Sequence, residues 1–392
     1  VPYYRNMNIE QNINVKQDSI DSLLSKFPVL SRELLIANNQ DMIADDYSMS
    51  NLERGTSSGS TGVPVTYWKD KHAETAAEAS KYFGWLQAGY GFGDKSATIW
   101  GNRQTVDSIW PKPSSRLKAK LFRQLRIAAC NLETSSSVSN AVEALMDFKP
   151  RFIDGYTNAI FLLAKQWLNE NKPNLQCKAV FTTAETLLDE QRRIIENAFG
   201  PVFDQYGCGE INGIAFECPD CCDYHIIAPH VLVEYEPDDD VSNSILVTDL
   251  DNFGMPLIRY RVGDMVMPTG TDCPSGTFWP SLKKICGRSS DYIELEDGTI
   301  INPIMYFGDT LGRTLRSFFN RSVHHQTIWD GIEFTIRIAI NPDELSDDTS
   351  LKNKVRDTWD NPTVPLRIEA VGFIQPSASG KTGYFINESV PR

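Results

Sequence analysis

The chain has 392 residues, with 38 Lys+Arg against 51 Asp+Glu and a net charge of −13 at pH 7. That length suggests two or three domains, and 41% apolar with 10% aromatic residues supplies a sizeable core, so intrinsic disorder is excluded. The acidic balance argues against a protein whose main task is gripping nucleic acid or an anionic membrane, while leaving room for a local phosphate site.

No apolar run approaches the roughly 18 residues of a membrane-crossing helix, and mean hydropathy is −0.32. The opening Val1-Pro-Tyr-Tyr-Arg5 lacks the basic and apolar regions of a signal peptide, and its valine is read as the edge of a longer chain. Eight cysteines are too sparse for a disulfide scaffold, and a reducing, cytoplasmic location is expected.

In chain order, residues 1–50 read as irregular and helical packing material, with two short helical patterns broken at Pro28. A polar, Gly-rich stretch follows, Arg54-Gly-Thr-Ser-Ser-Gly-Ser-Thr-Gly-Val-Pro64. Asp70 is placed to cap a helix running to about Leu86 and ending at Gly89. Strands at 96–100, 151–154, 178–182 and 202–205 then alternate with helices through Val138, Val142 and Leu145, at 159–168 and at 190–199. This alternation predicts βαβ units and a mostly parallel sheet. From His225 the period becomes two, with strands at 225–236, 244–250 and 257–267 forming a β-rich subdomain. Residues 327–340, a helix at 351–359 and 366–374 predict a small α+β domain. The fold class is α/β: a large body over 1–286, a connector at 287–291 and a C-terminal domain over 292–392.

In the 55–64 stretch, Gly59 and Gly62 permit close backbone approach. The hydroxyls and amides of Thr56, Ser57, Ser58, Ser60 and Thr61 are suited to an anion-binding nest. The stretch lacks the Gly-Lys-Ser/Thr of a Walker loop. Its literal G-x-S-x-G around Ser57 is preceded by polar residues rather than a buried strand, which disfavours a hydrolase elbow. Taken alone, a surface linker is the simpler reading.

Five further motifs follow in order: Thr182-Thr-Ala-Glu-Thr186, Asp204-Gln-Tyr-Gly-Cys-Gly-Glu210, Met255-Pro-Leu-Ile-Arg-Tyr-Arg-Val-Gly-Asp264, Gly287-Arg-Ser-Ser-Asp291 and Ser377-Ala-Ser-Gly-Lys-Thr-Gly-Tyr384. With the 56–62 stretch, this series resembles the adenylate-forming superfamily of acyl-CoA synthetases and adenylation domains. Within it, the chain looks most like the phenylacetate–CoA ligase and capsular-polysaccharide adenylating branch, over nearly its whole length.

The resemblance implies ATP-dependent activation of a carboxylic acid, followed by transfer to CoA or another thiol, with transfer to an amine, or a non-catalytic nucleotide-binding module on the same fold, as the alternatives. Thr56, Ser57, Ser58, Gly59, Ser60, Thr61 and Gly62 would wrap the ATP phosphates. Ala184 and Glu185 would line the adenine and carboxylate side, and Tyr206, beside Gly207, would stack on adenine. Glu210 would hold Mg²⁺, Asp264 with Arg288 would bind the ribose, and Lys381 would bridge the substrate carboxylate and α-phosphate. The small domain would rotate about 287–291, where Ser290 replaces the family's usual acidic residue or lysine. Each residue also has a plainer role: Tyr206 as core, Asp264 in a turn, Glu210 as a helix cap, Lys381 on a solvated hairpin.

Cys218, Cys221 and His225, with Cys273 about 50 residues on, supply three thiols and an imidazole, a closed structural-zinc set. Ser275 stands where the branch has a second cysteine, so Cys221 or Cys222 would have to complete the shell; ordinary unpaired thiols are the alternative. Cys130, Cys177, Cys208 and Cys286 show no pattern, and His324 and His325 are expected at the surface. The acid site is expected near Phe83–Gly93, Gly155–Tyr156 and the residues after Tyr206. No nucleic-acid partner is expected.

Overall fold

The computed structural model describes residues 1–7, 19–56, 65–101, 110–132, 134–237, 243–269, 273–274, 276, 279–288, 293–294, 300–301, 309–321, 323–345, 349–357, 364–375 and 385–389. Along the chain come α1 (Pro2–Arg5), α2 (Ile20–Leu24), α3 (Arg32–Ala37), β1 (Leu52–Thr56), β2 (Thr66–Asp70), α4 (Lys71–Gln87) and β3 (Ser96–Trp100). Next are α5 (Pro113–Leu121), β4 (Gln124–Ala128), α6 (Ser135–Phe148), β5 (Phe152–Tyr156), α7 (Thr157–Asn169), β6 (Ala179–Thr183), α8 (Asp189–Ala198) and β7 (Val202–Tyr206). A run of strands follows: β8 (Ala215–Glu217), β9 (Tyr224–Ile226), β10 (Val231–Pro237), β11 (Asn243–Asp249), β12 (Tyr260–Pro268) and β13 (Ser281–Arg288). The remainder holds β14 (Ile293–Glu294), β15 (Ile300–Ile301), α9 (Asp309–Phe319), β16 (His325–Trp329), β17 (Phe334–Ala339), α10 (Thr349–Asp357), β18 (Leu366–Val371) and β19 (Phe385–Asn387).

The chain divides into two compact units, 1–87 with 205–289 and 88–204 with 290–392. In the first, strands β10-β11-β12-β13-β9-β8 lie in that order, followed by the end of β7 at Gln205–Tyr206, and every one of these pairings is antiparallel. Leu30, Met42, Val65, Ile214, Val247, Leu257 and Tyr260 fill its core. Asp70, the last residue of β2, caps α4 as expected: Oδ1 accepts from Ala73 N at 2.8 Å, and Oδ2 accepts from Gly254 N at 2.9 Å.

In the second unit, β6-β5-β3-β4 form the expected parallel sheet. Val138, Val142 and Leu145 of α6 are buried in its core with Ile160 and Leu163 of α7 and Ile194 and Ile195 of α8. Thr134 caps α6 by accepting from Ser137 N. Glycine is required at 155, where φ is +158° and a Cβ would run into the Ile99 carbonyl of the adjacent strand.

The small C-terminal sheet, order β18-β17-β16-β19, has a core of its own in which Leu311, Leu315, Phe334, Ile336, Ile338 and Leu351 are buried. The predicted 327–340 segment is in fact the hairpin β16–β17. Asp330 Oδ1 accepts from both Ile332 N and Glu333 N, and Gly331 takes φ +102°, which turns the chain. The predicted 225–236 strand is likewise broken into β9 and β10 at the turn holding Pro229, where His230 N and Val231 N both reach the Ile227 carbonyl. Among the described residues no helix is long and apolar enough to cross a membrane.

His324 and His325 are buried, which corrects the expectation that they lie at the surface. They enter β16, and the His324 ring packs edge-on against Phe161 of α7, so that burial pushes its imidazole down to about 3.

Candidate functional site

Within the first unit, β7 ends at Tyr206 and the chain loops through 207–213 before β8 returns antiparallel to it. The loop closes through Cys208 N to Ile211 O at 2.8 Å and Ile214 N to Tyr206 O at 2.9 Å. Gly207 permits this turn, because a Cβ there would come within 2.8 Å of Gly213 N. His230 anchors the far side: Nε2 donates to the Asn212 carbonyl at 2.8 Å, and Nδ1 lies 2.6 Å from Asp251.

The fold converts sequence distance into contact here. Tyr206 OH donates to Asp264 Oδ2 at 2.8 Å. Asp264 sits opposite Arg288 in the β12–β13 ladder, and Arg288 Nε is 3.3 Å from Asp264 Oδ1. Burial first, and then the Asp264 charge, raise the Tyr206 phenol well above its ordinary range, so it is the donor.

Glu210, on the same loop, is only 5% exposed, and Oε1 accepts from Tyr260 OH at 3.2 Å. Among the described residues the other carboxylate oxygen has no hydrogen-bond partner. Lys69 is buried on β2 and donates to the Gly209 carbonyl at 3.0 Å. Burial lowers its ammonium, and Cys208, Asp249 and Glu210 oppose that shift. Sequence reading missed Lys69. Its available signal was a lysine in a strand immediately before the capping Asp70.

Thr56 is the last residue of β1, paired with Thr66 of β2, so the two strands bracket the Gly/Ser stretch. Ser57, Ser58, Gly59, Ser60, Thr61 and Gly62 lie outside the described residues, as do Ser275, Ser290, Asp291 and Lys381. Phe83, in the region named for the acid, packs on Phe216 and Trp279, with ring centroids 5.7 and 4.9 Å away.

Within the second unit, Ala184 follows β6 in the left-handed region at φ +71°. This turns Glu185 toward α7, where its carboxylate accepts from Asn158 N at 3.0 Å and Asn158 Nδ2 at 3.1 Å. A carboxylate at a helix N-terminus is stabilised by the exposed amides and the dipole. Tyr156, at the end of β5, packs at a tilt of 38° against Trp100, at the end of β3, with centroids 4.2 Å apart.

Cys218, Cys221, His225 and Cys273 converge in the first unit, with all four ligand atoms within 4.8 Å of one another. Cys218 Sγ is 3.7 Å from Cys273 Sγ, and Cys221 Sγ is 3.3 Å from His225 Nε2. Tetrahedral zinc with Zn–S bonds of about 2.3 Å sets its sulfurs about 3.8 Å apart, so the donor set and spacing fit that ion. Cys221 faces the other three, whereas the neighbouring Cys222 is exposed, with φ +61°.

The parallel βαβ sheet, the antiparallel strands carrying Tyr206, Asp264 and Arg288, and the small four-stranded sheet make up an α/β architecture that the chain shares with solved adenylate-forming CoA ligases. A solved structure of 2-hydroxyisobutyryl-CoA ligase in the postadenylation state, in complex with R3-HIB-AMP, superposes with a TM-score of 0.73 at 17% identity, covering 98% of this chain and 85% of that one. In sequence, the chain is similar to protein CapK of Staphylococcus aureus, with 24% identity across 98% of this chain and 84% of that protein. A stretch of 130 residues is 33% identical to indoleacetate–lysine synthetase of Pseudomonas savastanoi, 31% of each chain. No family model matches the chain.

Proposed function

We propose that the protein activates a carboxylic acid with ATP and passes the acyl group to CoA or another thiol. The observation that carries this reading is the Tyr206–Asp264–Arg288 arrangement beside the buried carboxylate of Glu210, within the adenylate-forming fold. The substrate carboxylate oxygen attacks the α-phosphorus, the bond to the β-phosphate bridging oxygen breaks, and pyrophosphate leaves. The thiolate then attacks the acyl carbon and AMP departs.

Asp264 accepts the ribose hydroxyls, held in place by Arg288, and Tyr206 offers its ring to adenine. Residues 56–62 wrap the phosphates and Lys381 bridges the carboxylate and α-phosphate. Ala184 and Glu185 shape the acid side. Glu210, with one carboxylate oxygen left without a hydrogen bond among the described residues, is suited to hold Mg²⁺, which when bound neutralises phosphate charge. Cys218, Cys221, His225 and Cys273 would hold a structural Zn²⁺ with no open position. The 292–392 domain turns about 287–291 between the two half-reactions, in a cytoplasmic enzyme.

The test is pyrophosphate release across a panel of carboxylic acids. Lys381→Ala is expected to lower the rate by about 10²-fold or more. If no acid drives release and ATP does not bind, the reading fails. A second reading, transfer to an amine, is favoured by the stretch similar to indoleacetate–lysine synthetase. Product analysis with CoA against a series of amines separates the two.

A further inference from the structure

Among the described residues, helix α5 is unlike the other long helices. Of its nine residues none is buried, whereas α6, α7 and α8 each bury an apolar face. Only Ser115 and Ala119 of α5, one turn apart, are even partly covered. Arg126 of β4 ties the underside down, with Nη1 2.6 Å from Ser115 Oγ and its guanidinium over the Trp110 ring.

At 100° per residue, the side opposite Ser115 and Ala119 is centred on Leu117 and Leu121. These two are 57% and 69% exposed. Arg116 and Lys120 flank the leucines on one side and Lys118 on the other, all three exposed. The exposed Phe122 follows at the helix end. Phe92, 70% exposed, precedes Gly93, whose carbonyl accepts from Arg123 Nη1 at 3.3 Å.

Charge sharpens the pattern. Residues 110–132 contain six cations, Lys112, Arg116, Lys118, Lys120, Arg123 and Arg126, and not one Asp or Glu, in a chain of net charge −13. Among the described residues, Lys112, Arg116, Lys118 and Lys120 make no ion pair. A convex helix with protruding leucines between rows of cations suits the headgroup–acyl boundary of a bilayer, where leucines enter the apolar edge and lysines meet anionic headgroups.

We infer that α5, with Phe92 and Phe122, is a peripheral docking surface for anionic lipid. This stands apart from the adenylation reading and from the overall acidic charge, because screening confines the field of the net charge to about 8–10 Å. Charge complementarity selects anionic over neutral lipid, and the exposed leucines select a lipid surface over a purely ionic partner.

The experiment is flotation of the full chain with vesicles of phosphatidylcholine, alone or mixed with phosphatidylglycerol, at low and high salt. Wild type is expected to float only with the mixed vesicles and to be released by salt. Lys118→Glu with Lys120→Glu is expected to lower partition about tenfold or more, and Leu117→Ser with Leu121→Ser to lower it comparably. All four positions are exposed, so melting curves should match wild type and show that the fold is intact. No flotation, equal flotation with neutral vesicles, or variants that float like wild type would each overturn the inference. So would vesicle-independent retention on a polyglutamate resin that the lysine variants abolish, since that reports an acidic polypeptide as the partner.

Discussion

The Tyr206 hydroxyl donates to Asp264 at 2.8 Å across 58 residues of sequence, and the other oxygen of that carboxylate meets Arg288 from the neighbouring strand. A buried carboxylate is thereby held by a phenol that does not ionise and a guanidinium that stays charged. Tyr206→Phe is expected to cost about 1–2 kcal/mol of stability in urea unfolding. With ATP as substrate, Asp264→Asn should raise the apparent KM for ATP about tenfold and leave pyrophosphate release measurable at saturation. An unchanged ATP dependence would remove Asp264 from the nucleotide site.

The thiol–imidazole cluster predicts one zinc per chain by elemental analysis. Cys221→Ser should lose the metal and lower the thermal midpoint, because a removed ligand leaves an incomplete shell. Cys222→Ser should retain it, since Cys222 is exposed and outside the four-atom cluster. Equal zinc content in both variants would contradict the assignment of Cys221.

Gly155 lies where β5 presses on β3, and any Cβ would strike the Ile99 carbonyl. A backbone oxygen cannot rotate away as a side chain can. Gly155→Ala is therefore expected to destabilise the protein by about 2–3 kcal/mol or more, read as a lower urea midpoint. Gly93→Ala is the contrast: its φ is also positive, but the space around it is open, so only the backbone cost of roughly 1 kcal/mol remains.

Lys165 on α7 carries a pH signature. Burial, reinforced by the nearby Arg321, lowers its ammonium to about 8 from an ordinary 10.5. A depressed lysine destabilises the folded state fully at pH below about 8, and the penalty is relieved as pH rises toward 10.5. Lys165→Met should thus stabilise the protein by about 1–3 kcal/mol at pH 7. That gain should shrink steadily through the 8–10.5 window in denaturant melts. A gain independent of pH would assign it to packing alone.

Local pattern made much of the fold legible. The i, i+4, i+7 spacing of Val138, Val142 and Leu145 placed α6, and short apolar strands alternating with helices announced the parallel sheet. The capping role of Asp70 and the four metal-ligand candidates were also readable, because caps and ligands are properties of residue type and spacing. The β16–β17 hairpin was readable in principle from Asp330-Gly331, but the apolar run on both sides masked it. Helix α5 and β4 were missed because α5 buries nothing and so shows no inward apolar stripe.

Tertiary structure alone decided the pairings. The choice of Cys221 over Cys222 depended on which thiol the turn at φ +61° leaves pointing outward. The burial of His324 and His325 depended on β16 facing α7, which no property of a His-His pair announces. Lys69 joined the Glu210 loop only because β2 runs beneath Gly209. Length and charge bounded a large acidic protein, and motif order pointed to the fold that its solved structural neighbours share. Side-chain partnership between distant strands is set by register and burial, and these exist only once the chain is folded.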